Sequence, residues 1–490
     1  MATPHSAGAA ALLAQQHPGW SGLEIKQALT SSAVGGTKAS PFQQGSGRLD
    51  VGEAVTQTVV GEQTSLDFGT QRWPHDDDQT LVRHLAYRNM DSAAITLDLA
   101  IEAAGEGGQS APADLFTLDT KRVTVPADGS AQVSIMADTS RSMPDGVFGG
   151  AVVATAGTQS VRTALVVTRE VESYDVTLDF VAPDGTPADA TASVVGLDND
   201  VFVTPQATNG KATLRLPHGT YSIEAPVYTD GALALMVSPE LDLRADTALT
   251  FDARKARPVA ITPPDNTAPS QTAIIGWHAQ RDASVLPVTS TWLAERFENI
   301  TTAQVGPAAA RSIFRSHVGG GWDGGDTGYN LIYARSNSFF TGFSHTAQLK
   351  ELARIDVHMG EPAPGKWGSS LVLWDDGVVY TGLGLARTTL PGTTRHYVSP
   401  VVGAKWFTST SQFSQNDEPE GDLIGGLRSV RAGHVYKDVF NTACSAPRST
   451  RQARGRQERA IRTACGCVSP CSVTARGIAP SRTPPQHGPS

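Results

Sequence analysis

Beyond residue 60 the apolar residues of this chain recur at every second position, in short runs separated by turn residues. Ile95, Leu97, Leu99 and Ile101 alternate with small or polar residues, as in a strand that buries one face. A helix would need a period of 3.6 residues instead. With 48 glycines, 30 prolines and 18% charged residues, the pattern predicts a mainly β chain built from several antiparallel sandwiches.

Turn-rich stretches divide the β-rich part into units. Pairs of alternating runs flank short turns and predict β-hairpins at 123–135, 214–223 and 370–380. The segment 255–270 is rich in Pro and Thr and predicts a linker. We therefore expect a β-sandwich at 62–169, a second at 172–254, the linker, a Trp-rich β domain at 271–443 and a tail at 444–490.

The N-terminal segment has a different, helical pattern. Residues 2–16 carry no charge and are apolar on nearly every face, which predicts a helix buried all round. Pro4 suits its first turn, and the Pro at 18 predicts its end. Ser21 and Glu24 predict a capping box that begins a second helix. Left alone, such a segment would expose several apolar side chains, so we expect it not to be stable by itself.

Two motifs in this segment resemble those of a known family. The chain begins Met1-Ala2-Thr3-Pro4-His5, and residues 45–51 read Gly-Ser-Gly-Arg-Leu-Asp-Val. Both are similar to motifs near the end of the catalytic domain of subtilisin-like serine proteases (subtilases). The resemblance covers residues 1–58 and implies the C-terminal helices of an α/β catalytic domain.

The resemblance also implies where the catalytic groups lie. In the family the nucleophilic Ser stands directly before the Met that matches Met1, and the Asp and His of the triad come earlier. We therefore assign no catalytic residue in this chain. Met1, Ala2, Thr3, Pro4 and His5 are a motif remnant, and His5 has a structural role. A different triad formed from downstream Ser, His and Asp residues stays open as an alternative, although no local motif supports it.

These motifs imply the C-terminal fragment of a secreted, extracellular endopeptidase. The parent enzyme would act on proteins or peptides, whereas this chain alone would be inactive and its partner would be the missing N-terminal catalytic portion. The two sandwiches resemble fibronectin-type-III-like and carboxypeptidase-regulatory-like domains, respectively. One alternative is a non-catalytic β-sandwich protein that binds a surface polymer or a protein. Another is a fragment that complements a separately encoded front half.

Aromatic residues and carboxylates suggest possible ligand sites. Six Trp lie in 271–443, and they either fill sandwich cores, the reading we favour, or stack on sugars: Trp277, Trp292, Trp322, Trp367, Trp374 and Trp406. Asp323 and Asp326 could hold calcium, but their loop lacks EF-hand spacing. His75 to Asp78 reads as a solvated turn. We therefore expect no cofactor and no metal.

The tail differs in composition from the rest of the chain. Residues 444–490 contain all four cysteines, eight Arg, no Lys and one Glu. The cysteine spacing matches no zinc motif. We interpret the tail as disordered, with a frame shift in the gene as the hypothesis for its composition, and we expect no nucleic-acid partner. The sequence also predicts no membrane span and no signal peptide within this chain.

Overall fold

The computed structural model describes residues 2–36, 41–283, 286–361 and 364–442. Four helices lie in the first 56 residues: α1 (Ala2–Gln16), α2 (Gly22–Ser31), α3 (Pro41–Gln44) and α4 (Val51–Thr56). Single 3₁₀ turns occur at Ala253–Lys255 and Leu349–Glu351. Strands make up 54% of the described residues and helices 9%, which confirms a mainly β protein with helices near its N-terminus. Met1 and the tail at 444–490 lie outside the described residues.

Residues 59–169 form two sheets that pack face to face. Their strands are β1 (Val59–Gly61), β2 (Ser65–Gln71), β3 (Leu81–Asn89), β4 (Ile95–Gly105), β5 (Phe116–Leu118), β6 (Arg122–Val125), β7 (Ser130–Ala137), β8 (Gly146–Ala156) and β9 (Gln159–Arg169). The strand orders are β1-β3-β7-β5 and β2-β9-β8-β4-β6. Leu85, Leu97 and Val152 are fully buried between the sheets. The predicted strand at 95–101 is part of β4 and alternates as expected.

The hairpin predicted at 123–135 is wrong. Both runs are strands, but β6 pairs with β4 in one sheet while β7 pairs with β3 and β5 in the other. The turn between them, where Asp128 has a φ of 48°, therefore carries the chain from one sheet to the facing one. Alternation identifies the buried face of each strand, but it does not say which strand lies beside it.

Residues 173–440 form four further sheets. The first group of strands is β10 (Ser173–Val181), β11 (Ser193–Gly196), β12 (Phe202–Val203), β13 (Lys211–Pro217), β14 (Gly219–Thr229), β15 (Ala232–Leu243) and β16 (Thr247–Asp252). The second group is β17 (Arg257–Thr262), β18 (Ser270–Gln280), β19 (Val288–Ala294), β20 (Ile300–Gln304), β21 (Ile313–Asp323), β22 (Thr327–Ser336), β23 (Phe343–Thr346), β24 (Ala353–Met359), β25 (Trp367–Asp375), β26 (Tyr380–Thr389), β27 (Gly392–Val398), β28 (Lys405–Phe413), β29 (Pro419–Ile424) and β30 (Val435–Phe440).

These strands stack as layers of three, seven, seven and four. The orders are β13-β10-β16, then β12-β11-β14-β15-β20-β17-β23, then β19-β18-β21-β22-β27-β24-β30, then β26-β25-β28-β29. Three cores lie between them. Side chains such as Val176, Tyr221 and Phe251 form the first core. Leu235, Trp277 and Phe340 belong to the second, and Ile355, Trp374 and Trp406 to the third.

The two central sheets are buried on both faces, which their sequences reflect. In β15, Ala234 and Met236 face the first core, whereas Leu235 and Val237 face the second. A strand between two cores needs apolar residues at odd and even positions alike, so its sequence is a continuous apolar run. Strand β10, in the outer three-stranded sheet, shows the simple alternation of a strand with one buried face.

Connections in this stack differ from the predicted ones in two places. The run at 214–223 is not a hairpin, because β13 pairs with β10 while β14 belongs to the neighbouring seven-stranded sheet. Residues 257–262, within the predicted linker, form β17, which joins β20 and β23 in that same sheet. The hairpin at 370–380 is confirmed, since β25 and β26 pair as antiparallel neighbours. Parallel pairs such as β10 with β16 make the sheets mixed.

The helical segment packs against the first pair of sheets. Leu13 and Ala28, from α1 and α2, are fully buried with Val60 of β1. The Gln27 side-chain amide donates to the Glu62 carbonyl over 2.7 Å, and the Gly61 N–H donates to Ser31 Oγ over 3.0 Å. Among the described residues, no helix has the length and apolar character needed to cross a bilayer.

Candidate functional site

The motif remnant lies at the N-terminal end of α1. Thr3, Pro4 and His5 fall in the first helical turn and are exposed. Of the residues of α1, only Ala9 and Leu13 are buried by the described part of the chain. Leu12 is 52% exposed. The helix is therefore formed as predicted, but it is buried on one side only, not all round.

The predicted capping box at the start of α2 is confirmed. Ser21 Oγ accepts the Glu24 N–H over 3.3 Å, and the Glu24 carboxylate accepts the Ser21 N–H over 2.7 Å. The Ser21 N–H bond to the carboxylate, helped by the Arg88 guanidinium at 2.9 Å and by the Ser21 hydroxyl, lowers the pKa of Glu24 to about 2. Because Arg88 lies on β3, the same carboxylate caps α2 and ties it to the adjacent sheet.

The glycine-rich motif after α3 has a steric explanation. Gly47 has a φ of 129°, and a Cβ there would lie 2.5 Å from the Val34 carbonyl oxygen. That close approach allows the bridge between Val34 and Arg48, with N–O distances of 2.9 and 2.8 Å. Asp50 then caps α4 by accepting the Glu53 N–H. Glycine and aspartate in this motif thus shape the backbone and take no visible part in chemistry.

A serine–histidine contact in the third core tests the alternative triad. Ser370 Oγ lies 2.6 Å from His396 Nε2 and 2.6 Å from Thr394 Oγ1, and all three side chains are fully buried. Asn330 completes the group, with its Nδ2 3.2 Å from His396 Nδ1. No local motif signals this cluster, because β22, β25 and β27 bring its members together from distant positions.

Hydrogen bonding fixes the tautomer of His396. The Gly384 N–H donates to Asn330 over 2.6 Å, so the atom it reaches must be the amide oxygen. The Asn330 NH₂ then faces His396 Nδ1, which must accept and carries no proton. The proton therefore sits on Nε2 and points to Ser370. A general base needs an unprotonated nitrogen at the serine, and burial lowers the pKa of His396 to about 3. This group is a structural network and not a catalytic dyad.

A second serine–histidine contact lies on the surface of the first unit. Ser134 Oγ is 3.3 Å from His84 Nδ1 across β7 and β3. The nearby Asp119 carboxylate accepts the Ser134 backbone N–H over 3.0 Å and not a proton of the His84 ring. A triad needs the carboxylate on the far nitrogen of the imidazole. The described residues therefore contain no Ser-His-Asp relay at either contact.

The third core holds a second polar cluster that sequence reasoning missed. His278 and His317 lie on neighbouring strands and face the β25–β26 turn, where Asp376 Oδ2 is 3.7 Å from His278 Nδ1. The His317 ring packs 4.9 Å from the Trp374 ring. His278 Nδ1, His317 Nε2, Trp374 Nε1 and Asp376 Oδ2 are all buried without a hydrogen bond. Burial lowers the pKa of His278, and that of His317 to about 4.

The carboxylates considered for metal binding already have protein partners. Asp323 accepts from the Gly325 N–H and from the Gln271 amide, and Asp326 pairs with Arg395 over 3.3 Å. Within the described residues, no group of three or more His, Cys, Asp or Glu side chains is placed to hold a metal ion.

The solvated turn predicted at 75–78 is only half correct. His75 is buried, with Nδ1 2.9 Å from Asp78 Oδ2 and Nε2 2.8 Å from the Glu170 carbonyl oxygen. Thr139 also donates to Asp78 over 2.7 Å, whereas the two aspartates between them are exposed. The turn is fixed because it packs beside the junction with the second unit.

The tryptophans mainly fill cores, as favoured. Trp277, Trp374 and Trp406 are at most 2% exposed, and Trp322 is 5% exposed. Trp367 is half-buried, but Phe413 stacks on its ring at 4.0 Å and the Arg387 guanidinium lies 5.2 Å from its centroid. Neither ring face of Trp367 is left open for a sugar.

The comparisons with known proteins agree with the motif at the N-terminus. The subtilase family matches residues 1–47, so this segment is related to subtilisin-like serine proteases. Two Arabidopsis thaliana proteins, the subtilisin-like proteases SBT1.9 and SBT1.6, are each 37% identical to this chain, over 68 and 83 residues. Each alignment covers 14% of this chain, and 9% and 11% of the relatives. The chain thus spans about a tenth of the curated relatives it matches.

Solved structures resemble this chain only loosely. A PapD-like domain of human CEP192 is 16% identical, with a TM-score of 0.19, over 23% of this chain and 85% of that domain. The Bacillus anthracis TIE protein is 12% identical, with a TM-score of 0.15, over 79% of this chain and 76% of that one. At such low scores these likenesses carry no inference about function.

Proposed function

We propose that this chain is the C-terminal part of a secreted subtilisin-like serine endopeptidase. The observation that carries the proposal is the match of residues 1–47 to the subtilase family, which includes Thr3-Pro4-His5 and Gly47. In this proposal the parent enzyme acts outside the cell on protein or peptide substrates, with its nucleophilic serine directly before Met1. The β-sheets that follow are accessory domains.

We further propose that the chain alone has no proteolytic activity. In support, the Ser370–His396 contact is buried with His396 in the wrong tautomer, and within the part of the chain that the structure describes the His84 imidazole beside Ser134 has no carboxylate partner. The purified chain should neither cleave casein nor react with a fluorophosphonate probe. Labelling of any serine would contradict the proposal, and a second experiment with Ser370→Ala or Ser134→Ala would then locate the nucleophile.

The exposed apolar side chains of α1 and α2 give the proposed catalytic portion a place to pack. Leu12 and Leu23 are 52% and 60% exposed, although both lie on helices of the family segment. Burying a leucine side chain stabilises by about 1.5–3 kcal/mol. In this proposal the missing catalytic portion covers these side chains, and their burial stabilises the complete protein by that free energy.

The packing is tested by matched charge substitutions. In the isolated chain, Leu12→Glu should change the unfolding midpoint little, because Leu12 is 52% exposed and does not belong to the core that holds Leu13. In the protein expressed together with the coding region upstream of Met1, Leu12→Glu should abolish casein hydrolysis. Leu286→Glu is the control, since Leu286 is 89% exposed and lies outside the family segment. Full activity of the longer Leu12→Glu protein would refute the packing.

A further inference from the structure

A groove lies between the C-terminal end of β22 and residues 400–403. Its volume is about 530 Å³, which is within the range of sites that bind small molecules or short peptide segments. Tyr333, Phe340 and Phe343 form an aromatic floor, with the Phe343 ring 4.8 Å from Tyr333 and 5.5 Å from Phe340. We refer to this site as the β22 groove.

One wall of the β22 groove is an open strand edge. On this side β22 pairs with β27 only over Thr327–Asn330. Ser399 Oγ then bonds both the N–H and the carbonyl of Ile332, at 2.7 Å each. Because the N–H and C=O groups of alternate residues share one edge of a strand, those of Ala334 point the same way. In the described part of the chain, no strand pairs with that edge at Ala334.

The β22 groove is also positively charged. Arg315 and Arg335 line it, whereas no carboxylate does. Arg315 donates to the Val402 carbonyl, and the Arg335 guanidinium lies 4.3 Å from the Phe340 ring centroid. Neither arginine has a carboxylate partner among the described residues, although the chain contains 48 acidic residues. Burial raises the pKa of Tyr333, whose hydroxyl therefore stays protonated.

We propose that the β22 groove binds a short, extended acidic peptide that adds to β22 as an extra strand. The N–H and carbonyl of Ala334 pair with the peptide backbone, as in other cases of strand addition. Arg335 pairs with a carboxylate of the peptide on the face of β22 that carries the aromatic floor, and the next peptide side chain, which is apolar, packs against Val401 on the opposite face. The open edge of β22, the arginines and the aromatic floor lie in the same groove. Together they favour a ligand with an extended backbone, a negative charge and an apolar side chain.

The test is fluorescence anisotropy of the whole chain with labelled Val-Asp-Val-Asp-Val. A Val-Lys-Val-Lys-Val peptide and an N-methylated Val-Asp peptide serve as ligand controls. We expect the acidic peptide to bind, and Arg335→Glu and Ala334→Pro each to weaken it at least about tenfold, since each removes a hydrogen bond or charge pair. Arg387→Glu removes an exposed arginine over another aromatic ring, and Ala334→Ser keeps the edge N–H. Both should bind normally.

Several outcomes would overturn the proposal. These are absence of binding, equal binding of the lysine peptide, or unchanged affinity after Ala334→Pro. If Arg335→Glu weakened peptide binding while Ala334→Pro and N-methylation of the peptide did not, the groove would bind an anion without adding a strand. The N-methylated peptide keeps the test valid should Ala334→Pro disturb the fold, which tryptophan fluorescence will show.

Discussion

Lowering the pH from 7 to 5 should destabilise the third core, because it buries neutral histidines. His317 faces His278, Asp376 and Arg315, and burial holds its pKa at about 4. His396 lies among Ser370, Thr394 and Asn330, and burial holds its pKa at about 3. An unfolded histidine titrates near 6.5, so below that pH the unfolded chain binds protons that the folded chain excludes.

The sign and size of the effect follow from these pKa values. Stability from each histidine is fully present above pH 6.5 and is lost as the pH falls toward the folded pKa. In that window each histidine lowers the free energy of unfolding by about 1.4 kcal/mol for every pH unit of acidification. Between pH 6.5 and 5 this amounts to about 2 kcal/mol for His317 and the same for His396.

The assay is urea unfolding at pH 7 and pH 5, followed by tryptophan fluorescence. Trp374 lies 4.9 Å from His317 and reports on this core. His396→Gln cannot titrate, so its loss of stability between the two pH values should be about 2 kcal/mol smaller than that of the unaltered chain. His434→Gln is the control, because His434 is exposed. An unchanged pH dependence in His396→Gln would refute the reasoning.

Three further predictions concern single contacts. Ser21→Ala removes the cap of α2 and should lower the free energy of unfolding by about 1 kcal/mol, measured by chemical denaturation. Gly47→Ala forces a Cβ to 2.5 Å from the Val34 oxygen and should reduce the yield of folded protein, unlike Gly8→Ala, where no atom lies within 4 Å. Glu240 accepts three backbone N–H groups at residues 310–312, so Glu240→Gln should speed tryptic cleavage after Arg311, and an unchanged rate would contradict this.

Much of the N-terminal segment could be predicted because its signals are local. A capping box requires only Ser21 and Glu24 three positions apart, and the end of α1 follows from the Pro at 18. The polar clusters of the third core could not be predicted from local signals. Ser370 and His396 are buried side by side, but their contact depends on β25 and β27 lying close together, which no local pattern encodes. The same holds for His278 and Asp376.

The sequence alone determined where α1, α2 and strands such as β4 and β10 form and which face of those strands is apolar, because these properties arise from neighbours within a few residues. Only the tertiary structure decided which strands pair. The turns after Val125 and Pro217 lead into a different sheet and not back along the same one, and Arg257–Thr262 becomes a strand between β20 and β23 within a predicted linker. Pairing depends on how whole sheets bury their faces against one another, and that free energy is shared among residues far apart in the chain.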